Sequence, residues 1–305
     1  MTNLLELYVK LVGLVSVGFL LGLRLPATIP THLGQFLFWV GVPLSIVTFL
    51  QKADLSGQIW IAPLIAHLAI LLGAFLAWIG VKWQALFVKT IPQQATQASI
   101  ILAAMVGNTG YLGYPVILTV VDTQYFAWAL FYDLLGTTLG AYGLGVALAA
   151  RFSSGVYNAR QILKAILINP ALWSFGFGLL LRQVTIPASI GLCLETLAWT
   201  AVALSLLLIG MRLSKLNSWH SLPQAGFGLG IKMLLVPLIL ASTLPLFGIT
   251  GAAARVIVLQ MAMPPAFATL IIAETFNLDR NLAVTALAVG TMVLLVTLPL
   301  WLWLF

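Results

Sequence analysis

This sequence predicts an all-α integral membrane protein. Ten transmembrane helices form two inverted repeats of five, with one interrupted helix in each repeat. Three observations lead there. The chain of 305 residues is 62% hydrophobic and 7% charged, where a soluble domain carries about 25% charged residues. Lipid and neighbouring helices are therefore the solvent for most of it. Apolar runs of about 20 residues, enough to cross a bilayer, follow one another with short connections and leave no room for a sizeable soluble domain. Two of those runs are broken near their middles by helix-breaking residues, and the breaks lie 157 residues apart, Gly107 against Pro264.

The first span is read at 7–23. No basic segment precedes it and its first charge is Glu6, so a retained span is expected rather than a signal peptide. Spans two and three follow at 34–50 and 59–81, and a loop at 82–97. Span four, 98–121, contains Gly107-Asn108-Thr109-Gly110. Span five, 125–149, carries Asp133, with Gly136, Thr137 and Thr138 behind it. The loop 150–164 holds Arg151, Ser153, Ser154, Gly155, Arg160 and Lys164, and divides the chain into 1–150 and 151–305. Spans six to ten lie at 165–182, 191–211, 225–247, 254–276 and 282–304. Span eight encloses Lys232. Span nine contains Pro264-Pro265 and has Glu274 near its end.

The two halves resemble each other. Gly18-Phe19 and Arg24 match Gly176-Phe177 and Arg182; Ile29-Pro30 matches Ile186-Pro187; Gly34 matches Gly191; Asp122 matches Asp279, all at offsets of 157 or 158. Five spans per repeat is odd, so the second repeat enters from the opposite side and the repeat is inverted. Loops after odd spans hold Arg24, Lys82, Lys89, Arg151, Arg160, Lys164, Arg212, Lys215 and Arg280. Positive-inside then puts those loops in the cytoplasm and both termini outside. The net charge of +7 reads as these basic loops, and no nucleic acid is expected. Trp60, Trp83, Trp301 and Trp303 fall at span ends, as interface anchors do.

The breaks carry the chemistry. Pro264 and Pro265 lack N–H groups, so a continuous helix would leave the carbonyls of Gln260 and Met261 without donors. At the first break, Gly107 and Gly110 permit unwinding, while Asn108 and Thr109 offer polar side chains. Each second half-helix then starts near the bilayer middle with free N–H groups and a positive dipole end. Two such ends suit an anion, most simply a carboxylate.

Over nearly its whole length the chain resembles the auxin efflux carrier family, which contains plant auxin exporters and bacterial carriers of small acids. The matching segments are Gly107-Asn108-Thr109-Gly110-Tyr111-Leu112-Gly113-Tyr114-Pro115, Asn169-Pro170-Ala171, Leu206 to Gly210, Pro264 with Ala273-Glu274, and Leu298-Pro299. The resemblance implies that helices four and nine cross at their breaks, as in bile acid:sodium symporters. It implies a scaffold domain of spans 1, 2, 6 and 7 and a transport domain of spans 3–5 and 8–10, with elevator-like alternating access. Asn108 corresponds to the family's crossover asparagine. Pro264-Pro265-Ala266 replaces the polar groups that auxin exporters carry in span nine, and the long hydrophilic loop of many plant members is missing.

A substrate site at Gly107, Asn108, Thr109, Gly110, Pro264 and Pro265 is therefore expected, with Gln260 as a second polar contact. Asp133 is expected to bind a coupling proton or cation, or else to be a buried carboxylate hydrogen-bonded for packing. Lys232 is expected to pair with a substrate carboxylate or with Glu274, or else to snorkel toward the cytoplasm; Glu274 itself is a third coupling candidate or a solvated carboxylate at the end of span nine. Cys193 and the three histidines are scattered, so no metal or cofactor is expected; His67 reads as a structural histidine or a proton relay. No nucleophile triad or phosphate-binding loop suggests an enzyme or an ATP-driven pump. The expected partners are a small carboxylate, membrane lipid and a second copy of the chain through the scaffold domain. Two alternatives stand beside organic-anion export. One is a sodium- or proton-coupled uptake symporter, for which Thr109, Gln97, Gln260 and Glu274 are the available oxygens. The other is a non-transporting sensor or scaffold.

Overall fold

The computed structural model describes residues 2–26, 28–88, 92–152, 160, 167–214 and 221–305. Lys89, Ser153, Ser154, Gly155, Lys164 and Lys215, all loop residues of the sequence reading, lie outside the described residues. Among the described residues the fold is all-helical. Its helices are α1 (Thr2–Arg24), α2 (Thr28–Lys52), α3 (Ile61–Val88), α4 (Gln94–Met105), α5 (109–120), α6 (Thr123–Phe152), α7 (Pro170–Leu181), α8 (Ala188–Leu213), α9 (Leu222–Ala241), α10 (Gly251–Met261), α11 (Phe267–Thr275) and α12 (Arg280–Leu304). Six of them, α2, α3, α6, α8, α9 and α12, are long and apolar enough to cross a membrane. The chain is a multi-pass integral membrane protein.

Local chemistry sets the helix ends. Asn169 caps α7 by accepting the N–H of Ala171, with Pro170 as the first helical residue. Asp122 and Asp279, matched by sequence, do the same job: one accepts Gln124 N–H at 3.0 Å, the other Leu282 N–H at 3.0 Å. Several boundaries differ from expectation: α2, for example, begins at Thr28 rather than at residue 34. Helix α3 continues to Val88, past the expected loop start at residue 82. Helix α9 stops at Ala241, because Pro245 opens a separate 3₁₀ turn, Leu244–Phe247, that Gly248 closes at φ 72°.

Three prolines inside the spans are accommodated by widening the helix, while Pro299 sits within the regular helix α12. The π-helical turns Leu37–Gly41, Thr109–Gly113 and Ile231–Leu235 each end two residues before a proline, Pro43, Pro115 and Pro237. The wider turn relieves the clash of the ring with the carbonyl four residues back. That carbonyl then needs another donor. For Pro237 it is Met233 O, which receives the indole N–H of Trp301 at 3.0 Å. This corrects the reading of Trp301 as an interface anchor: it is 2% exposed, while Trp60, Trp83 and Trp303 are exposed.

Helix α8 packs along α1 and α2, and α7 packs on α2; α3 packs on α4 and α6, and α9 on α4 and α12. The α1–α8 contact is backbone against backbone. A Cβ at Gly18 would lie 2.1 Å from Leu207 O, and one at Gly210 would lie 2.0 Å from Val15 O. Small residues that permit such approach are how helices hold together where lipid removes any hydrophobic gain.

Candidate functional site

The two interruptions meet. Helix α4 stops at Met105 and Val106 is extended; α10 stops at Met261. The segments beyond them pair as a short antiparallel bridge, with Gly107 opposite Pro265. Asn108 N–H donates to Pro264 O at 2.7 Å, and Ala266 N–H donates to Val106 O at 2.9 Å. Each break thus supplies partners for the backbone groups that the other sets free, as hydrocarbon demands. The two carbonyls expected to lose their donors to the prolines both find new ones. Gln260 O accepts Met263 N–H at 3.4 Å, and Met261 O accepts the Lys232 ammonium at 2.6 Å.

The glycines of the first break serve a purpose other than the one expected. None of Gly107, Gly110 and Gly113 has positive φ. Each instead leaves room for one polar side chain. A Cβ at Gly107 would lie 3.1 Å from Lys232 Nζ, one at Gly110 3.0 Å from Asp133 Oδ2, and one at Gly113 2.1 Å from Gln260 Oε1. Close approach, not backbone freedom, requires glycine here.

A cavity of about 840 Å³ opens beside the bridge, lined by Gly107, Asn108, Thr109, Gly110 and Asp133 on one side and Ala266, Phe267 and Ala268 on another. Helices α5 and α11 both begin in it, and neither N-cap, Asn108 or Ala266, closes the helix end with a side chain. The Asn108 amide has no hydrogen-bond partner among the described residues. Asp133, 7% exposed, accepts from Thr109 Oγ1 at 2.5 Å and from Tyr114 OH at 2.6 Å. These two bonds tie the start of α5 to α6.

The sequence reading missed Arg212, counting it as a loop charge. It lies in the last full turn of α8 and lines the cavity. Its guanidinium carbon sits 4.8 Å from the ring centre of Phe267, the first residue of α11. Among the described residues it has no acidic partner. The signal was its position one residue past the expected end of span seven, with no carboxylate near it in sequence.

Several expected site residues lie elsewhere. Gln260 is fully buried against Gly113 and sends its amide N–H₂ toward Ala129 O at 3.4 Å, so it does not reach the cavity. Pro264 and Pro265 shape the bridge and do not line the cavity. Lys232, 3% exposed, neither snorkels nor pairs with Glu274. Glu274 is exposed and pairs with Arg280 at 2.7 Å. Gln97 bonds Pro92 O, and His67 Nδ1 lies 2.7 Å from Pro63 O, a structural contact.

The chain is similar to known membrane transport proteins. A family described as membrane transport protein matches residues 153–302. An uncharacterized transporter of Methanothermobacter thermautotrophicus is 30% identical over 265 residues, covering 86% of this chain and 84% of that protein. An uncharacterized transporter of Methanocaldococcus jannaschii is 29% identical over 217 residues, covering 67% of each chain.

Proposed function

Since the chain belongs to the auxin efflux carrier family of membrane transporters and is not an enzyme, we propose that it is a secondary carrier of a small organic anion, bound where the two breaks meet. The observation that carries this reading is the cavity's set of donors. Two uncapped helix N-termini, the free amide of Asn108 and the guanidinium of Arg212 face one space. A carboxylate there meets N–H groups, a positive dipole end and a full positive charge. Thr109 is engaged with Asp133 and holds the site rather than greeting the ligand.

The finer architecture belongs to the same proposal. Ten spans in a 5+5 inverted repeat, with helices four and nine crossing, account for the paired breaks and for the shared capping role of Asp122 and Asp279. The packing of α1, α2, α7 and α8 on one another supports a scaffold, and the remaining helices a transport domain that moves as an elevator. Arg212 and Phe267 span that boundary. With basic loops inside and both termini outside, in a plasma or inner membrane, the potential drives a monoanion outward. The drive is about 2.3 kcal/mol per charge per 100 mV, so export needs no coupling ion. Sodium-coupled uptake lacks support, because Thr109, Gln97, Gln260 and Glu274 are dispersed.

The test is flux from proteoliposomes loaded with radiolabelled acetate, benzoate or malonate. An inside-negative potential is expected to speed loss of at least one of them, and an absence of flux for every acid that binds favours a sensor. Arg212→Gln is expected to raise the concentration for half-maximal flux about ten- to hundred-fold, the loss of one charge-assisted contact. An unchanged value removes Arg212 from the site.

A further inference from the structure

Lys232 is a buried cation that anion binding does not use. It is not among the residues that line the cavity; its ammonium lies against Gly107 and donates to the carbonyl of Met261, the last residue of α10. The point where a Gly107 Cβ would sit is 3.1 Å from Lys232 Nζ and 3.3 Å from Met263 O, so a second carbonyl of the break stands close by. Among the described residues no carboxylate pairs with it. The negative end of the α10 dipole and unwound carbonyls are what face its charge.

In broken-helix carriers, half-helix C-terminal ends and unwound carbonyls hold the coupling sodium ion. We propose that the Lys232 ammonium takes that place as a cation tethered to the chain, so that the meeting breaks bind no sodium. This deepens the carrier reading and rests on it. A covalently held charge cannot leave during the cycle, so it stabilises the breaks in every state and contributes no ion gradient to transport.

The experiment compares melting of the full-length purified protein in equal concentrations of sodium, potassium and choline chloride. Wild type is expected to melt at one temperature in all three. Lys232→Ala is expected to melt several degrees lower and to recover in methylammonium, which refills the space with an ammonium, but not in tetramethylammonium. Lys232→Met, which fills the volume without a donor, is expected to stay low. A sodium-specific rise in wild type, or a Lys232→Met protein that melts like wild type, overturns the proposal. If neither variant folds, the salt comparison on wild type still decides. Absence of any carboxylate binding to wild type counts against the carrier reading instead, and leaves the melting comparison standing.

Discussion

Gly210→Val is expected to prevent assembly of the α1–α8 pair. The first atom of the new side chain would sit 2.0 Å from Val15 O and 2.6 Å from Phe19 N. Both are backbone atoms of a packed helix, so no rotamer change relieves the clash and the helices must separate. Separation also opens the reciprocal contact of Gly18 with Leu207 and exposes the buried seam around Val15 and Leu206. Overpacking typically costs about 1–3 kcal/mol, and more where, as here, backbone blocks relaxation; hydrocarbon returns no hydrophobic gain to offset it. The measurement is the folded fraction by size-exclusion chromatography after detergent extraction. Gly226→Ala is the control. Nothing lies within 4 Å of a Cβ there, and the change is expected to be neutral or to stabilise by up to about 1 kcal/mol through helix propensity.

Asp133→Ala is expected to have the second largest effect. The carboxylate takes hydroxyl donors from Thr109 and Tyr114, with the Thr138 hydroxyl also on it, in a place nearly closed to solvent. Its removal leaves these hydroxyls without their acceptor, at about 1–3 kcal/mol for each buried group left unpaired. Thr109 begins α5 beside Asn108, so the loss also loosens the anion site. Both the melting temperature and carboxylate affinity are expected to fall. Asp133→Asn retains one acceptor oxygen and is expected to lie between wild type and Asp133→Ala in melting temperature. If Asp133→Ala melts like wild type, the carboxylate does not brace the break.

Much of this was legible in the sequence because hydrocarbon is a severe judge of backbone. Gly107-Asn108-Thr109-Gly110 and Pro264-Pro265 announce interruptions because they fall at corresponding positions of the two halves, where a single proline or glycine would read as a kink. The orphaned carbonyls of Gln260 and Met261 could be named from the prolines alone. What relieves them could not, because Lys232 lies on another helix and only packing brings it to Met261. The same limit hid why the first break is glycine-rich. Gly107, Gly110 and Gly113 answer to Lys232, Asp133 and Gln260, contacts separated by 125, 23 and 147 positions in the chain. Gln260 was misplaced because helical spacing puts it near the break without saying which side it faces. Trp301 was misread because position near a span end suggests the interface, whereas the proline at 237 creates a demand for its N–H. Arg212 was missed because a charge at a span boundary reads as a loop charge until the cavity beside it is seen.

The most direct test of the central claim is a thermal-shift panel of small carboxylates on wild type, Asn108→Ala and Arg212→Gln. At least one acid is expected to raise the wild-type melting temperature, with the rise absent in Asn108→Ala and reduced in Arg212→Gln. The same rise in all three proteins would contradict an anion site at the meeting of the breaks.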